Sequence, residues 1–281
     1  MSRATTAASA VTRRFALSAA CGIASLSCAV WPVYAKEPAA ARSVVKLTAA
    51  MANGQVAHGS AVVIATEKVA TSCHVLRDAA SLVIEADGRH WPAQFDRGDG
   101  EMDLCLLSVP GLSRPVARIR STQQVKIDAA VQAIGYPGGG RLIRNVGAVK
   151  SAYRMYDARV LRVSARFDQG ASGGGLFTSA GELIGILTFK APRGEAFHFA
   201  IPIDWVLAIE DGSRITTPPE TMAFWEQAPD ARQFFLRAAW FNSVEDWPQL
   251  FEICERWAQA EPNSVEAQTY LRLAESHLRG Q

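Results

Sequence analysis

Between Ser43 and Ile201 the chain is written in short apolar runs broken by Gly, Asp and Asn, and that rhythm limits its fold more than any other feature. Ser43–Met51, His58–Ala65, Lys68–Cys73, Ser81–Glu85, Arg89–Phe95 and Leu104–Val109 form a first set. A second set begins after Val125: Ala130–Ile134, Arg144–Ser151, Ala158–Ala165, Gly175–Phe177, Leu183–Phe189 and Ala196–Ile201. Short strands at close spacing argue for barrels or a sandwich and against alternating βα units. Asn53-Gly54 is a hairpin-type turn signal between the first two runs. Pro110, Gly111 and Pro115 mark a connector. The expectation is a mainly β chain with two antiparallel six-stranded barrels, over about residues 43–115 and 120–212.

The rhythm changes after Asp204-Trp205. Residues 213–229, with Pro218 and Pro219, read as a linker, and the apolar spacing beyond them is helical. Phe234, Phe235, Ala238, Ala239 and Phe241 predict one helix; Trp247, Leu250, Phe251, Cys254 and Trp257 a second; Ala267, Tyr270, Leu271 and Ala274 a third. Pro262-Asn263-Ser264 supplies a break and an N-cap before the last. The fragment AEPNSVEAQTYLRLAESHLRG resembles a tetratricopeptide repeat, and the tail, 230–281, has room for about one and a half such units. It reads either as a small helical cap on a barrel or as a surface for a protein partner.

At the N-terminus, Arg13 and Arg14 precede the uncharged run Phe15–Val33, which ends in Val33-Tyr34-Ala35. That order describes a secretory signal peptide over residues 1–35, cleaved after Ala35, which would put the protein in the periplasm or outside the cell. Thr12–Leu17 weakly resembles a twin-arginine signal; an uncleaved anchor is the other reading of the same run. Cleavage leaves Cys73, Cys105 and Cys254, enough for one internal bridge at most. A formal charge of +2 is too small to imply nucleic acid, and no membrane contact beyond the signal is expected. Histidines 58, 74, 90, 198 and 277 show no metal-ligand spacing with the cysteines, and Pro137–Arg141 lacks the Gly-Lys-Ser/Thr of a phosphate loop. Neither a metal nor a cofactor is expected.

The stretch Phe167–Phe177, FDQGASGGGLF, carries the chemistry. Ser172 is the candidate nucleophile. Glycines at 170, 173, 174 and 175 clear side chains from its surroundings and permit positive φ, and such loops can aim successive N–H groups at one point. By itself the stretch is equally a Gly-rich turn with a solvated serine. A serine needs a base and an orienting acid before it attacks anything. His74, in ATSCHVL, falls at the end of an apolar strand, and Asp103, in EMDLCLL, at the start of another. The chain order is His, Asp, Ser, with a step of 29 residues from His74 to Asp103 and of 69 from there to Ser172.

Together these stretches resemble the chymotrypsin-like (trypsin-fold) serine peptidases, most closely their bacterial high-temperature-requirement-like branch. GSAVVIAT, TSCHV, DLCLL, QGASGGGLF with ELIGILTF and FHFAIP, and AIGYPGG carry the resemblance, which runs from about Ser43 to Ile209. It implies a peptidase domain over 43–212 acting on proteins or peptides, with Ser172 as nucleophile, His74 as base, Asp103 as orienting acid, and the N–H groups of Gly170 and Ser172 as oxyanion hole. Thr188, Phe189 and Lys190 fall where the family pairs substrate backbone, and Phe197–Phe199, with His198, on the wall of the pocket for the residue before the cut. Ala171 stands where zymogen-type members carry an aspartate, so activation by a freed N-terminus is not expected. If the triad forms, the strands bearing Cys73 and Cys105 approach; a bridge between them and a pair of small buried thiols are the two readings, with Cys254 free in the tail. The alternative function is a catalytically silent scaffold that binds a partner through the helical tail.

Overall fold

Alternating apolar and polar side chains pair Val44–Met51 (β1) with Val56–Ala65 (β2), and Gly54, at φ +85°, lies in the turn between them. The computed structural model describes residues 38–190, 198–211, 220–228 and 233–280, which belong to one unit, Glu37–Gln281. The expected signal peptide, Pro218, Pro219 and Phe197 lie outside the described residues. Lys68–Thr71 (β3), Ala79–Ala86 (β4), Arg89–Asp99 (β5) and Leu104–Ser108 (β6) complete a closed barrel in the order β1-β2-β3-β6-β5-β4. Inward positions fill it: Leu47, Val63, Val69, Ile84 and Leu107 are each at most 1% exposed, and β5 adds the partly buried Trp91, Ala93 and Phe95. Burial of one such side chain contributes about 1.5–3 kcal/mol, more than any single turn residue can supply. The apolar interior therefore closes the barrel, and the turns set its register.

A second barrel follows from Arg118–Ile119 (β7), Ala130–Gly135 (β8), Ile143–Met155 (β9), Ala158–Val163 (β10), Gly175–Thr178 (β11), Glu182–Lys190 (β12) and His198–Pro202 (β13). Its order is β11-β8-β9-β10-β13-β12, with β11 also paired to β12, so six antiparallel strands close on themselves. The short β7 joins β12 in parallel outside that ring. A four-residue helix, Ala39–Arg42 (α1), enters the first barrel, and Asp204–Asp211 (α2) leaves the second.

Three further helices, Phe234–Ser243 (α3), Trp247–Ala260 (α4) and Val265–Arg279 (α5), cover the outside of the second barrel. Tyr153 of β9 is the anchor. Its ring stacks on Phe235 at 4.6 Å, and its hydroxyl meets that of Tyr270 at 3.2 Å. Burial pushes the Tyr153 phenol well above its ordinary pKa, so it stays neutral in this interface. Among the described residues no helix is long and apolar enough to cross a membrane.

Two local expectations are corrected. The run Lys68–Cys73 leaves the sheet at Thr71, whose hydroxyl donates to the Ser60 carbonyl, and His74 sits in a 3-10 turn, Cys73–Leu76, instead of at a strand end. The last described part of the expected linker, residues 220–228, is not a free connector: Ala223 and Phe224 are fully buried, and the Phe224 N–H donates to the Glu101 carbonyl at 2.9 Å.

Candidate active site

Asp103 is fully buried in the turn before β6, with φ +55°. A carboxylate in that position is tolerable only if donors surround it, and four do. Its Oδ1 accepts the backbone N–H of His74 at 2.9 Å. Its Oδ2 accepts the His74 Nδ1–H at 2.8 Å, the Thr188 hydroxyl, and the indole N–H of Trp225 at 3.3 Å. An ionised carboxylate can only accept, so Nδ1 carries the proton and Nε2 keeps its lone pair. The 3-10 turn supplies this geometry: the Cys73 N–H donates to the Asp103 carbonyl at 3.2 Å, and His74 follows with both its N–H groups toward the same side chain. Cys73 and Cys105 form a disulfide, with Cα atoms 5.0 Å apart, directly beside this pair. Gly98 makes room for it, since a Cβ there would lie 2.7 Å from the Cys105 sulfur.

Ser172 comes from the second barrel, on the loop before β11. Its hydroxyl donates to the Thr188 carbonyl at 3.0 Å and not to His74, though both residues line one cleft of ≈ 400 Å³ with His58, Gly138, Gln169 and Gly170. The loop is held from the first barrel by one buried residue. Ser60 donates its N–H to the Ser172 carbonyl (2.8 Å) and its hydroxyl to the Gly170 carbonyl (2.9 Å), while that hydroxyl accepts the Tyr136 N–H (2.8 Å). Gly173, at φ +84°, cannot carry a side chain here, because a Cβ would stand 2.0 Å from the Ser60 carbonyl oxygen. The N–H groups of Ala171, Gly173 and Gly174 are taken by the carbonyls of Asp168, Leu187 and Ala171. Among the described residues those of Gly170 and Ser172 have no acceptor, and the carbonyl of Gln169, the residue before Gly170, accepts the Gly138 N–H at 2.7 Å. The arrangement offers a hydroxyl, an imidazole lone pair and two free N–H donors at one cleft.

The other singled-out residues are placed as follows. Thr188 turns its side chain to Asp103, so only its backbone faces Ser172. Phe189 lies between Phe199 (centroids 4.6 Å apart) and Trp225 (5.0 Å), stacked on both. Lys190 is exposed and pairs with Asp168 at 2.8 Å, and this hydrogen bond, with the charge of Lys190, lowers the Asp168 pKa. His198 is buried and donates from Nε2 to the Phe167 carbonyl at 2.9 Å, edge-on to the Phe167 ring. Cys254 is free and buried in α4; burial pushes its thiol up to about 12. Sequence reading passed over Ser60, Trp225 and Glu226. Ser60 carries no local signal. The adjacent aromatics Phe224-Trp225, in a stretch otherwise read as linker, were the one visible sign that this stretch is buried.

Residues 59–186 match the family model of the trypsin-like peptidase domain, and the two barrels have the trypsin-like fold. A probable periplasmic serine endoprotease described as DegP-like, from Pseudomonas putida (strain GB-1), is 28% identical over 162 residues, which are 54% of this chain and 34% of that one. Serine protease Rv3671c of Mycobacterium tuberculosis (strain ATCC 25618 / H37Rv) is 28% identical over 167 residues, 55% of this chain and 41% of that one. The crystal structure of the Rv3671c protease in its active form superposes with a TM-score of 0.59 at 25% identity, covering 76% of this chain and 99% of that chain. This chain thus spans 34–41% of the length of these curated relatives.

Proposed function

We propose that this chain is an exported serine endopeptidase of the HtrA-like, trypsin-fold kind, which cuts peptide bonds in proteins through His74, Asp103 and Ser172 and an acyl-enzyme intermediate. The observation that carries the reading is the pairing of a buried Asp103, surrounded by donors, with His74 Nδ1 on the same cleft as Ser172 and the two unoccupied N–H groups of Gly170 and Ser172. In this mechanism the Ser172 hydroxyl leaves the Thr188 carbonyl and turns to His74 Nε2, which takes its proton as Oγ attacks the scissile carbonyl. Asp103 holds the tautomer and stabilises the imidazolium. The developing oxyanion takes the place of an acceptor for the Gly170 and Ser172 donors, each of which is worth roughly 3–4 kcal/mol at the transition state. His74 then protonates the leaving amine, and a water activated by the same nitrogen hydrolyses the ester.

Other parts of the reading follow from the same site. Ala171 is buried beside Gly135, and the loop is tied to the first barrel by Ser60 while its ion pair, Asp168–Lys190, is exposed, which fits a peptidase that needs no freed N-terminus to become active. Residues 43–212 make up the peptidase domain, the signal at 1–35 exports it, and the tetratricopeptide-like tail is a cap whose outer face is open to a protein partner. A fluorophosphonate probe tests the central claim. Labelling of the wild type that disappears in Ser172→Ala is the expected result. A folded wild type that does not label would replace the peptidase with the silent scaffold.

A further inference from the structure

We propose that Trp225, supplied from beyond both barrels, is a positioning residue of the catalytic pair: its indole N–H holds the Asp103 oxygen that also receives His74. The inference rests on the peptidase reading above and assigns this site a component outside the two barrels. Three observations carry it. The indole Nε1–H reaches Asp103 Oδ2 at 3.3 Å, a contact across 122 positions of sequence. The same ring meets the His74 imidazole edge-on, at 5.4 Å between centroids and 87° between planes, and its face covers Phe189. The segment bearing it is anchored on both sides. Phe224 is fully buried with its N–H on the Glu101 carbonyl, and Glu226 forms a two-pronged ion pair with Arg77, three residues past His74, while also accepting the Ala223 N–H.

The physical role follows from what Oδ2 must do. It accepts three donors, and their directions fix both where the carboxylate points and how much of its charge is left for His74. Without the indole N–H, more charge faces the imidazole, so the imidazolium persists to higher pH and the carboxylate is free to rock about its bond to Cβ. The first effect lowers the fraction of His74 that can take the Ser172 proton on the acid side, and the second slows its removal at any pH. The other charged or titratable groups near the pair have partners or places of their own: Arg77 and Glu226 neutralise each other, the charge of Asp78 acts on Arg77, the Glu101 carboxylate is turned to the Tyr156 hydroxyl, Asp99 to the Met102 N–H, and His58 lines the same cleft as His74. The aromatic cover on Phe189 and the hydrogen bond to Asp103 are separable, since phenylalanine keeps the first and loses the second.

The experiment compares the full chain with its Trp225→Phe variant, following the rate of fluorophosphonate labelling and kcat and KM for a peptide between pH 5 and 9. The expected result is a loss of about fivefold in labelling rate and kcat, in line with a long hydrogen bond to a charged acceptor. KM is expected to stay little changed, and the acid limb of the rate profile to move to higher pH. Equal rates and an unmoved acid limb in a wild type that labels would overturn the inference and leave the peptidase standing. A wild type that fails to label overturns both. If Trp225→Phe does not fold, the wild type labelled with ¹⁵N-tryptophan decides. One indole N–H resonance is expected to shift over the pH interval in which the labelling rate rises and to stop doing so once Ser172 is phosphonylated; a spectrum with no such resonance overturns the inference.

Discussion

Breaking the Cys73–Cys105 bridge should cost the folded chain far more than its buried position suggests. The two residues are 32 positions apart, so the bond closes a loop that takes in β4, β5 and the whole turn to Asp103. In the chain-entropy treatment a loop of that length constrains the unfolded ensemble by about 3.5–4 kcal/mol at 25 °C. At about 2–4 °C per kcal/mol for a domain of this size, the unfolding midpoint should fall by roughly 7–15 °C on reduction. Comparing oxidised with reduced wild type isolates the cross-link, whereas replacing the cysteines would add a packing loss at two sites that are at most 2% exposed. The remaining thiol does not confuse the assay, because Cys254 is buried and its thiol, pushed up to about 12, yields almost no thiolate near neutral pH. Thermal unfolding with and without reductant is the measurement. Coincident midpoints would refute the entropic argument, and a free-thiol count of three in the unreduced mature protein would refute the bridge itself.

Two further expectations come from the shell around the acid. Thr188→Val removes the hydroxyl that donates to buried Asp103; a hydrogen bond to a charged group is worth about 1.5–3 kcal/mol, so kcat should fall at least tenfold with KM nearly unchanged, and an unaltered kcat in steady-state assays would count against this role. Glu226 is raised by burial but lowered further by its hydrogen bonds from Arg77 and the Ala223 N–H, and ends below the ordinary carboxylate value. Because its folded pKa is depressed, its contribution is complete above the unfolded value and is lost as pH falls through the folded one. Acidification below about pH 4 should therefore loosen the segment around Trp225. Tryptophan fluorescence followed from pH 6 to 3 should show a transition that is missing in Glu226→Gln; identical curves would disprove the coupling.

Much of the architecture was legible because it is written in local periodicity. The two sets of short apolar runs and the helical spacing after Phe234 reflect which faces must be buried, and burial is what the structure satisfies. His74, Asp103 and Ser172 could be singled out by their order and their neighbours. The turn that carries His74 could not, because it depends on the Cys73 N–H finding a carbonyl thirty positions away. The place of Thr188 in the chain points to substrate, and only the packed structure turns its hydroxyl to Asp103. Trp225 illustrates the limit most clearly. Its partner lies in the first barrel while Trp225 itself belongs to neither, and nothing within a few residues of it encodes that distance.

Ser60 ties the motion of one barrel to the active loop of the other. It sits on β2 of the first barrel, yet its N–H and hydroxyl fix the carbonyls of Ser172 and Gly170, and its hydroxyl also takes the Tyr136 N–H from the end of β8. A hinge between the barrels could not open by a few ångströms without releasing both carbonyls at once. A change in the spacing of the barrels would thus be felt at the nucleophile loop through Ser60, just as the Thr188–Asp103 hydrogen bond carries it to the acid.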